Sequence, residues 1–211
     1  MILFDLVGYN EGHPAYQQLH ASNINRQYDF LEAIVQAALA VKRPMISTAI
    51  IKALNYHAIA CLHINAGEYR PSPIIVHGSR CQFPEHYQVP ELMNDFINNV
   101  NRYWDSMDYL MLSAYCLWRL NHIHPFVNGN GRTARALCYF VVCAKLGVWL
   151  HGRPILPELI HRNREEYVAL LEQLDQAVLK SERTFNVRLK SLGEFIGKLL
   201  RQQLESIGVR P

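Results

Sequence analysis

The chain has 211 residues, of which half are hydrophobic and 18% are charged, and its formal net charge is +3. This length favours one domain with a sizeable core, and the composition excludes a disordered or low-complexity protein. The small positive charge gives only weak support to a nucleic-acid partner, because phosphate-binding surfaces usually carry more charge, concentrated on one face.

The sequence shows neither a secretory signal nor a membrane span. The N-terminal stretch MILFDLVGYNEG lacks a basic lead, and Asp5 interrupts its short apolar run. No apolar stretch approaches the ~20 residues that span a bilayer. The five cysteines lack CxxC spacing, which indicates reduced thiols rather than disulfides or a zinc site. We therefore expect a cytoplasmic protein that does not contact membranes.

Helical periodicity dominates the first part of the chain. Residues 15–41 carry apolar side chains at helical spacing, which predicts one helix or two ending before Pro44. A further helix is predicted from Ser47, a candidate N-cap, to Gly67, a candidate stop.

The pattern changes at residues 74–83. The β-prone run Ile74-Ile75-Val76 meets a turn signal that begins with His77 and Gly78, which predicts a short exposed β-hairpin. Helical patterns then return over residues 89–105, 106–120, 132–147, 158–179 and 186–206. The predicted fold class is therefore mainly α, with one hairpin.

The loop between the two most apolar helices, HPFVNGNG followed by RTAR, has the features of an anion site. Its proline and glycines allow a tight turn whose N–H groups lead into a helix N-terminus, where negative charge is favoured. Arg132 and Arg135 in the first turn oppose the helix dipole unless an anion compensates. The loop is thus predicted to bind phosphate, and His124 beside it has the chemistry of a general base.

Two structural interpretations compete with this prediction. The Gly-Asn-Gly segment can be a plain helix connector, with its arginines paired to surface carboxylates and His124 satisfied in the core. His122 and His124 can also be read as metal ligands, but no further ligand is evident nearby in the sequence. The whole string and its apolar flanking helices favour phosphate binding.

The string HPFVNGNGRTAR resembles the signature HPFx(D/E)GNGRxxR of the Fic (filamentation induced by cAMP) family, and eleven of its twelve positions agree. Segments AGEYR, VPELM and REEYVAL look like other parts of the family, so the resemblance covers roughly residues 45–180. It implies the Fic fold, a helical bundle with one short β-hairpin called the flap. Members are mostly enzymes that transfer AMP from ATP to a Ser, Thr or Tyr hydroxyl of a target protein.

The resemblance implies a role for individual residues. His124 would deprotonate the target hydroxyl, and Phe126 would anchor the loop in the core. Val76, His77 and Gly78 in the flap would align the target segment by strand addition. The residues implied to bind the nucleotide are Gly129, Asn130, Gly131, Arg132, Thr133, Arg135 and Tyr167.

Two departures from the family pattern bear on activity. Asn128 stands where the family has an acidic Mg²⁺ ligand, so weak Mg²⁺ binding or use of Mn²⁺ is expected. Many members also carry an inhibitory helix with the motif (S/T)xxxE(G/N), and the N-terminal helix here has Ala21 and Asn25 at its Ser/Thr and Glu positions. Loss of both features predicts an enzyme of reduced activity that no inhibitory helix restrains. The alternative is that residues 15–41 form a helix that only packs on the core.

These observations divide the chain into three parts: an N-terminal helical extension (1–44) that is a candidate degenerate inhibitory helix, a Fic core (45–180) and a C-terminal amphipathic helix (181–211). The leading hypothesis is a protein adenylyltransferase. The alternatives are a weakly active or inactive nucleotide-binding or protein-interaction module, and a transferase that uses another nucleotide donor. Only the basic side chains of the last helix support a nucleic-acid binder, and the apolar stripe of that helix can pack on the core or on a second copy in a homo-oligomer.

Overall fold

The computed structural model describes residues 2–42, 45–76 and 81–208, and within these ranges it contains helices and no β-strand. A 3-10 turn at His86–Gln88 precedes the fourth α-helix. Within the described residues, no helix is both long and apolar enough to cross a bilayer. The α-helices are α1 (Leu3–Leu6), α2 (Pro14–Val41), α3 (Thr48–Ile59), α4 (Val89–Arg102), α5 (Tyr109–Ile123), α6 (Asn130–Leu146), α7 (Leu156–Arg162), α8 (Arg164–Val178) and α9 (Glu182–Glu205).

Helices α5 and α6 form the centre of the bundle. All residues of α6 from Ala136 to Ala144 are buried, and α5 buries most of its side chains from Leu112 to Leu120. Helices α2 and α3 pack on α6, whereas α9 packs on α5. Because α5 and α6 are buried on all sides, they are apolar nearly all round, as noted in the sequence. The loop that joins them is therefore held at the centre of the molecule.

Helix α3 begins as predicted and ends earlier than predicted. Ser47 caps it, because its Oγ accepts a hydrogen bond from the backbone N–H of Ile50 at 3.3 Å. The chain leaves the helix after Ile59, and Cys61 has a left-handed φ of 62°. The predicted continuation to Gly67 is therefore wrong.

Partners from other helices take up the last carbonyls around the end of α3. The side-chain amide of Asn23 in α2 donates to the carbonyl of Ala60 at 2.9 Å. The Arg132 guanidinium of α6 donates to the carbonyl of Ala58, also at 2.9 Å. The helix thus ends where tertiary contacts satisfy its orphan carbonyls, a feature that local periodicity does not contain.

Two other predicted helices also differ in their boundaries from those in the structure. Asp108 caps α5, its Oδ1 accepting from two backbone N–H groups of the first turn at 2.9 and 3.1 Å, so the predicted start at Ser106 is wrong. The single helix predicted over 158–179 is two helices, because Asn163 interrupts the helical backbone with φ −99° and ψ 39° between α7 and α8.

The β-hairpin predicted over 74–83 is not seen in the described part of that segment. Residues 74–76 and 81–83 form no strand there. The predicted turn residues His77 and Gly78 lie outside the described residues.

A buried arginine joins the two ends of this segment in place of strand pairing. The side chain of Arg70 is only 3% exposed. Its guanidinium donates to the carbonyl of Ser72 at 3.1 Å and to the carbonyl of Pro84. One side chain thus satisfies backbone carbonyls on both flanks of the segment predicted as a hairpin.

Helix α9 packs on α5, α7 and α8, so its apolar stripe lies against the core. Gln203 of this helix is fully buried. Its Nε2 donates to the Tyr139 hydroxyl at 2.6 Å and to the carbonyls of Leu150 and His151 at 3.1 Å each, and its Oε1 accepts from the Leu156 N–H at 2.7 Å. One amide therefore connects α9 to α6, to α7 and to the segment between them.

We expect Gln203→Met to lower the free energy of unfolding by about 2–4 kcal/mol, because the buried Leu156 N–H and the partly buried His151 carbonyl lose their partner while the volume is kept. Urea unfolding measures this change. The matched control is Gln202→Met, whose side chain is exposed on the same helix turn. Equal stability of the two variants would contradict the bridging role.

Candidate active site

The loop between α5 and α6 is closed by the side chain of Asn130. Its Oδ1 accepts a hydrogen bond from the N–H of Phe126 at 2.9 Å, and its Nδ2 donates to the Phe126 carbonyl at 2.8 Å. Phe126 is fully buried and its ring lies 5.8 Å from that of Tyr69. The loop is therefore anchored in the core at one end and tied to α6 at the other.

A second buried amide, Asn55 of α3, supports the same loop. Its Nδ2 donates to the Asn128 carbonyl at 2.9 Å and to Thr133 Oγ1 at 3.3 Å, and its Oδ1 accepts from the Gly67 N–H at 3.0 Å. Thr133, which is fully buried, donates from its hydroxyl to the Gly129 carbonyl at 2.9 Å. Sequence reasoning missed Asn55, since it lies far from the signature along the chain and no local motif marks it.

Gly129 stands at the N-cap of α6 with a φ of 77°. A Cβ atom here would lie 2.8 Å from Ile59 Cγ2 and 3.1 Å from Asn55 Nδ2, so only glycine fits. In the described part of the chain no side chain caps α6. The first N–H groups of this helix are thus available to an anion.

His124 is the C-cap of α5, with a left-handed φ of 51°. Its Nδ1 contacts the Asn121 carbonyl at 3.2 Å, and its ring lies 4.5 Å from that of Phe83. An Nδ1–H that donates to this carbonyl leaves Nε2 unprotonated. Burial, together with the positive charge of Arg70, lowers the pKa of His124 to about 4, against the raising effect of the Asn121 hydrogen bond. The imidazole is therefore neutral at physiological pH and able to accept a proton.

The two arginines of the signature differ in their contacts. Arg132 is held by the carbonyl of Ala58 and by Asn128 Oδ1, each at 2.9 Å. Arg135 makes no hydrogen bond or ion pair within residues 2–42, 45–76 and 81–208, and burial lowers its pKa. Arg164 at the start of α8 lowers it further. Half-buried positive charge that no carboxylate pairs is costly, so this corner of the site favours an anion.

Two cavities meet at Gly131 and Arg135. The first, of about 330 Å³, is lined by His124 and by Tyr167, whose hydroxyl accepts from Asn121 Nδ2 at 2.8 Å. The second, of about 450 Å³, is lined by both signature arginines and by α2 and α7. The other principal side chains of the first cavity are Val76, Cys81, Phe83, Trp118, His122, Arg164, Val168, Leu171, Glu172 and Asp175.

Helix α2 faces the second cavity with four side chains, namely His20, Ile24, Gln27 and Tyr28. None of them is a carboxylate. Ala21 and Asn25, the positions that resemble an inhibitory motif, are exposed. Within the described residues, α2 therefore brings no acidic group to the unpaired Arg135.

One carboxylate does approach the loop from the N-terminal segment. Glu11 Oε1 accepts from Asn128 Nδ2 at 3.4 Å and from the Tyr16 hydroxyl at 3.2 Å. The same oxygen lies 3.6 Å from His63 Nε2. The sequence gives no signal for this contact, which joins residues 117 positions apart.

Comparison with known proteins agrees with the signature. The model of the Fic/DOC family matches residues 46–142. A probable protein adenylyltransferase of Aquifex aeolicus is 26% identical over 142 residues, which are 67% of this chain and 41% of that protein. The protein adenylyltransferase Fic of Drosophila willistoni is 35% identical over 75 residues, 35% of this chain and 15% of the relative. The chain thus spans less than half the length of these curated relatives.

Solved structures agree in fold. A Fic domain containing signaling protein from Bacteroides thetaiotaomicron superposes with a TM-score of 0.71 at 21% identity, covering 99% of this chain and 80% of that one. Fic-1 of C. elegans gives 0.66 at 22% identity, covering 93% and 55%. BepC of Bartonella tribocorum, solved with bound AMPPNP, gives 0.51 at 15% identity, covering 80% and 86%. The fold is the Fic fold, and residues 46–142 are the part of the chain that is similar to the Fic/DOC family.

Proposed function

We propose that this protein is an adenylyltransferase that transfers AMP from ATP to a hydroxyl group of a target protein. The observation that carries the proposal is the neutral His124 imidazole beside a helix N-terminus whose half-buried Arg135 forms no ion pair in the described chain. The adenylyltransferase names of the relatives and the AMPPNP in the Bartonella structure support the same donor class.

The two cavities suit the two ends of a nucleoside triphosphate. We assign the nucleoside to the first cavity, where Tyr167 and Trp118 offer aromatic and apolar surface. The phosphates would lie on the backbone of Gly129, Asn130 and Gly131. The β and γ groups would then extend into the second cavity, which both signature arginines line.

In this arrangement the transfer needs a group that accepts the proton of the target hydroxyl and groups that stabilise the leaving pyrophosphate. His124 Nε2 accepts the proton of the target hydroxyl while the hydroxyl oxygen forms a bond to the α-phosphorus. The bond from that phosphorus to the bridging oxygen breaks, and pyrophosphate leaves with the electron pair. Arg132 and Arg135 stabilise the negative charge that develops on it.

The residues around Asn128 fit a weakly held Mg²⁺ ion. Amide and carboxylate oxygens are ligands that Mg²⁺ accepts, and Asn128 Oδ1 with the carboxylate of Glu11, whose Oε1 lies 3.4 Å from Asn128 Nδ2, would supply one of each. When bound, the cation neutralises charge on the leaving pyrophosphate. Asn128 Oδ1 is shared with Arg132, which weakens the site for Mg²⁺ and leaves Mn²⁺ as an alternative.

We place the target segment along the chain that precedes the flap turn. Residues 74–76 lie next to the first cavity, which Val76 lines, and Ile75 is 85% exposed. An extended target peptide pairing with this backbone would bring its hydroxyl towards His124.

A second candidate is a nucleotide-binding module without transfer activity. Asn128 favours it, because an uncharged side chain at the metal position stabilises the leaving group less well. The neutral, oriented His124 favours the enzyme, since binding alone does not need a base.

We expect His124→Ala to reduce AMP transfer by about 10²- to 10⁴-fold, the usual contribution of a general base. Transfer of label from α-labelled ATP to the protein and to a lysate, with Mg²⁺ and with Mn²⁺, measures this loss. His151→Ala, at an exposed position, is the control. AMPPNP binding should survive in both variants. Binding without transfer in the wild type as well would favour the second candidate.

Asn128→Asp should raise transfer by about tenfold or more, because a unit charge near the cation contributes about 1–4 kcal/mol at surface-like dielectric. The new carboxylate also faces Glu11, so their mutual repulsion should strengthen the dependence on metal. Initial rates over a Mg²⁺ titration test this. An Asn128→Asp rate no higher than that of Asn128→Ala would contradict the proposed metal position.

The ring of His124 should titrate with a midpoint near pH 4 in the folded protein and near its ordinary value of about 6.5 in the unfolded chain. The unfolded state then binds more protons between these values, so this residue makes stability fall as the pH drops through that window. NMR titration of the imidazole, assigned with His124→Ala, measures the midpoint. A folded-state midpoint at 6.5 would remove the argument for a neutral, desolvated base.

A further inference from the structure

Three side chains with metal-binding atoms meet in the first cavity, apart from the phosphate loop. One ligand atom each of Cys81, His122 and Asp175 lies within 4.8 Å of the others. They come from the segment that begins at residue 81, from α5 and from α8. The sequence showed no such cluster, because His122 and Asp175 are separated by 53 positions.

Two of these side chains are already held in place. Asp175 Oδ1 accepts from the indole N–H of Trp118 at 2.9 Å and lies 2.8 Å from His122 Nδ1. The His122 ring stacks on Trp118 with 5.1 Å between ring centroids and an interplanar angle of 29°. Ligands that are oriented before binding lose little entropy when an ion arrives.

The third side chain, Cys81, is linked to the same carboxylate. Burial raises the pKa of its thiol to about 12, and the charge of Asp175 and a hydrogen bond to it act in the same direction. The thiol is therefore protonated at neutral pH in the absence of a cation. A bound cation would replace that proton, which passes to solvent, and would offset the negative charges of thiolate and carboxylate.

We propose that Cys81, His122 and Asp175 bind a borderline-soft divalent cation of the Zn²⁺ class. A thiolate, an imidazole and a carboxylate form a donor set that suits Zn²⁺, whereas Mg²⁺ and Ca²⁺ prefer oxygen ligands alone. Small shifts would bring the three atoms to bonding distance of about 2.0–2.3 Å from one ion. The fourth position faces the cavity and takes water.

The site lies where the nucleoside binds if the proposed function is right. A cation there would occupy part of the cavity of about 330 Å³ and would fix Cys81 to α5 and α8. The segment that begins at residue 81 and the helices that form the floor of the cavity would thereby be joined. Zn²⁺ therefore opposes nucleotide binding, which makes the site inhibitory.

Titration of the purified protein with Cd²⁺ or Co²⁺, without nucleotide, tests the metal site by its sulfur-to-metal charge-transfer band. The wild type should give a saturable band that Zn²⁺ displaces. Cys81→Ser should abolish the band, and His122→Gln and Asp175→Asn should weaken affinity by about tenfold or more. Asparagine at 175 keeps an acceptor for the Trp118 N–H, so this variant is expected to remain folded.

The control is Cys61→Ser, because Cys61 is exposed whereas Cys116, Cys138 and Cys143 are buried. It should leave the band unchanged. A band that persists in Cys81→Ser, that is lost in Cys61→Ser, or that never forms in the wild type would overturn the metal site. These outcomes do not depend on adenylyl transfer.

The inhibitory role is tested by AMPPNP binding with and without Zn²⁺, comparing wild type with Cys81→Ser. Chelation of Zn²⁺ by the nucleotide affects both proteins equally. Zn²⁺ should therefore raise the apparent Kd several-fold more in the wild type. Equal shifts in two proteins that differ in metal binding would overturn the inhibitory role, and absence of AMPPNP binding in metal-free wild type would overturn the proposed function instead.

Discussion

The site depends on positive charge that the fold partly buries and does not pair with a carboxylate. Arg135 lies in the first two turns of α6, at the end of the helix dipole that disfavours a cation, and no carboxylate of the described chain forms an ion pair with it. Arg132 finds only neutral oxygen acceptors, the Ala58 carbonyl and Asn128 Oδ1. The packing of α5 and α6 must stabilise this arrangement, since nothing local does. A bound polyphosphate would supply the missing negative charge. The arginines without carboxylate partners, which destabilise the free protein, would therefore favour binding of the ligand.

Such a site needs a rigid loop, and two buried asparagines make it rigid. Asn130 satisfies both backbone groups of Phe126, and Asn55 joins the loop to α3 and to the Gly67 N–H. An amide can do this because it carries donors and an acceptor on one planar group. With the loop fixed, the N–H groups of α6 and the ring of His124 stay aimed at the same point. Orientation before binding is what makes such donors effective towards a developing charge.

How far the sequence could predict this structure depends on how local each feature is. The loop from His124 to Arg135 is contiguous, so its glycines, arginines and histidine could be identified together. The centres of the helices followed from periodicity, but the end of α3 did not, because Asn23 and Arg132 supply partners from distant helices. The hairpin was predicted from β-propensity, which contains no information on the buried Arg70. The guanidinium of Arg70 donates to the carbonyls of Ser72 and Pro84, on either side of the segment.

Side chains that meet only through the fold were beyond prediction for the same reason. Nothing in the sequence connects Glu11 with Asn128, or Asn55 with the signature loop. His122 was considered as a metal ligand with His124, its neighbour in sequence, whereas the fold turns it towards Asp175 and Cys81. Alternate positions at the end of a helix point in different directions, so the helical geometry of α5 separates the two histidines into different chemical roles.

The two groups of candidate ligands favour different cations. The surroundings of Asn128 offer only oxygen ligands, which suit hard cations such as Mg²⁺, and they offer less charge than an acidic residue at that position would. The cluster around Cys81 combines sulfur, nitrogen and oxygen, which suits Zn²⁺. The first group lies by the phosphates and the second by the nucleoside in the proposed complex. Because the donor sets differ in kind, the first favours a hard cation and the second favours Zn²⁺. In the proposed complex one cation would therefore strengthen the binding of the nucleotide and the other would oppose it.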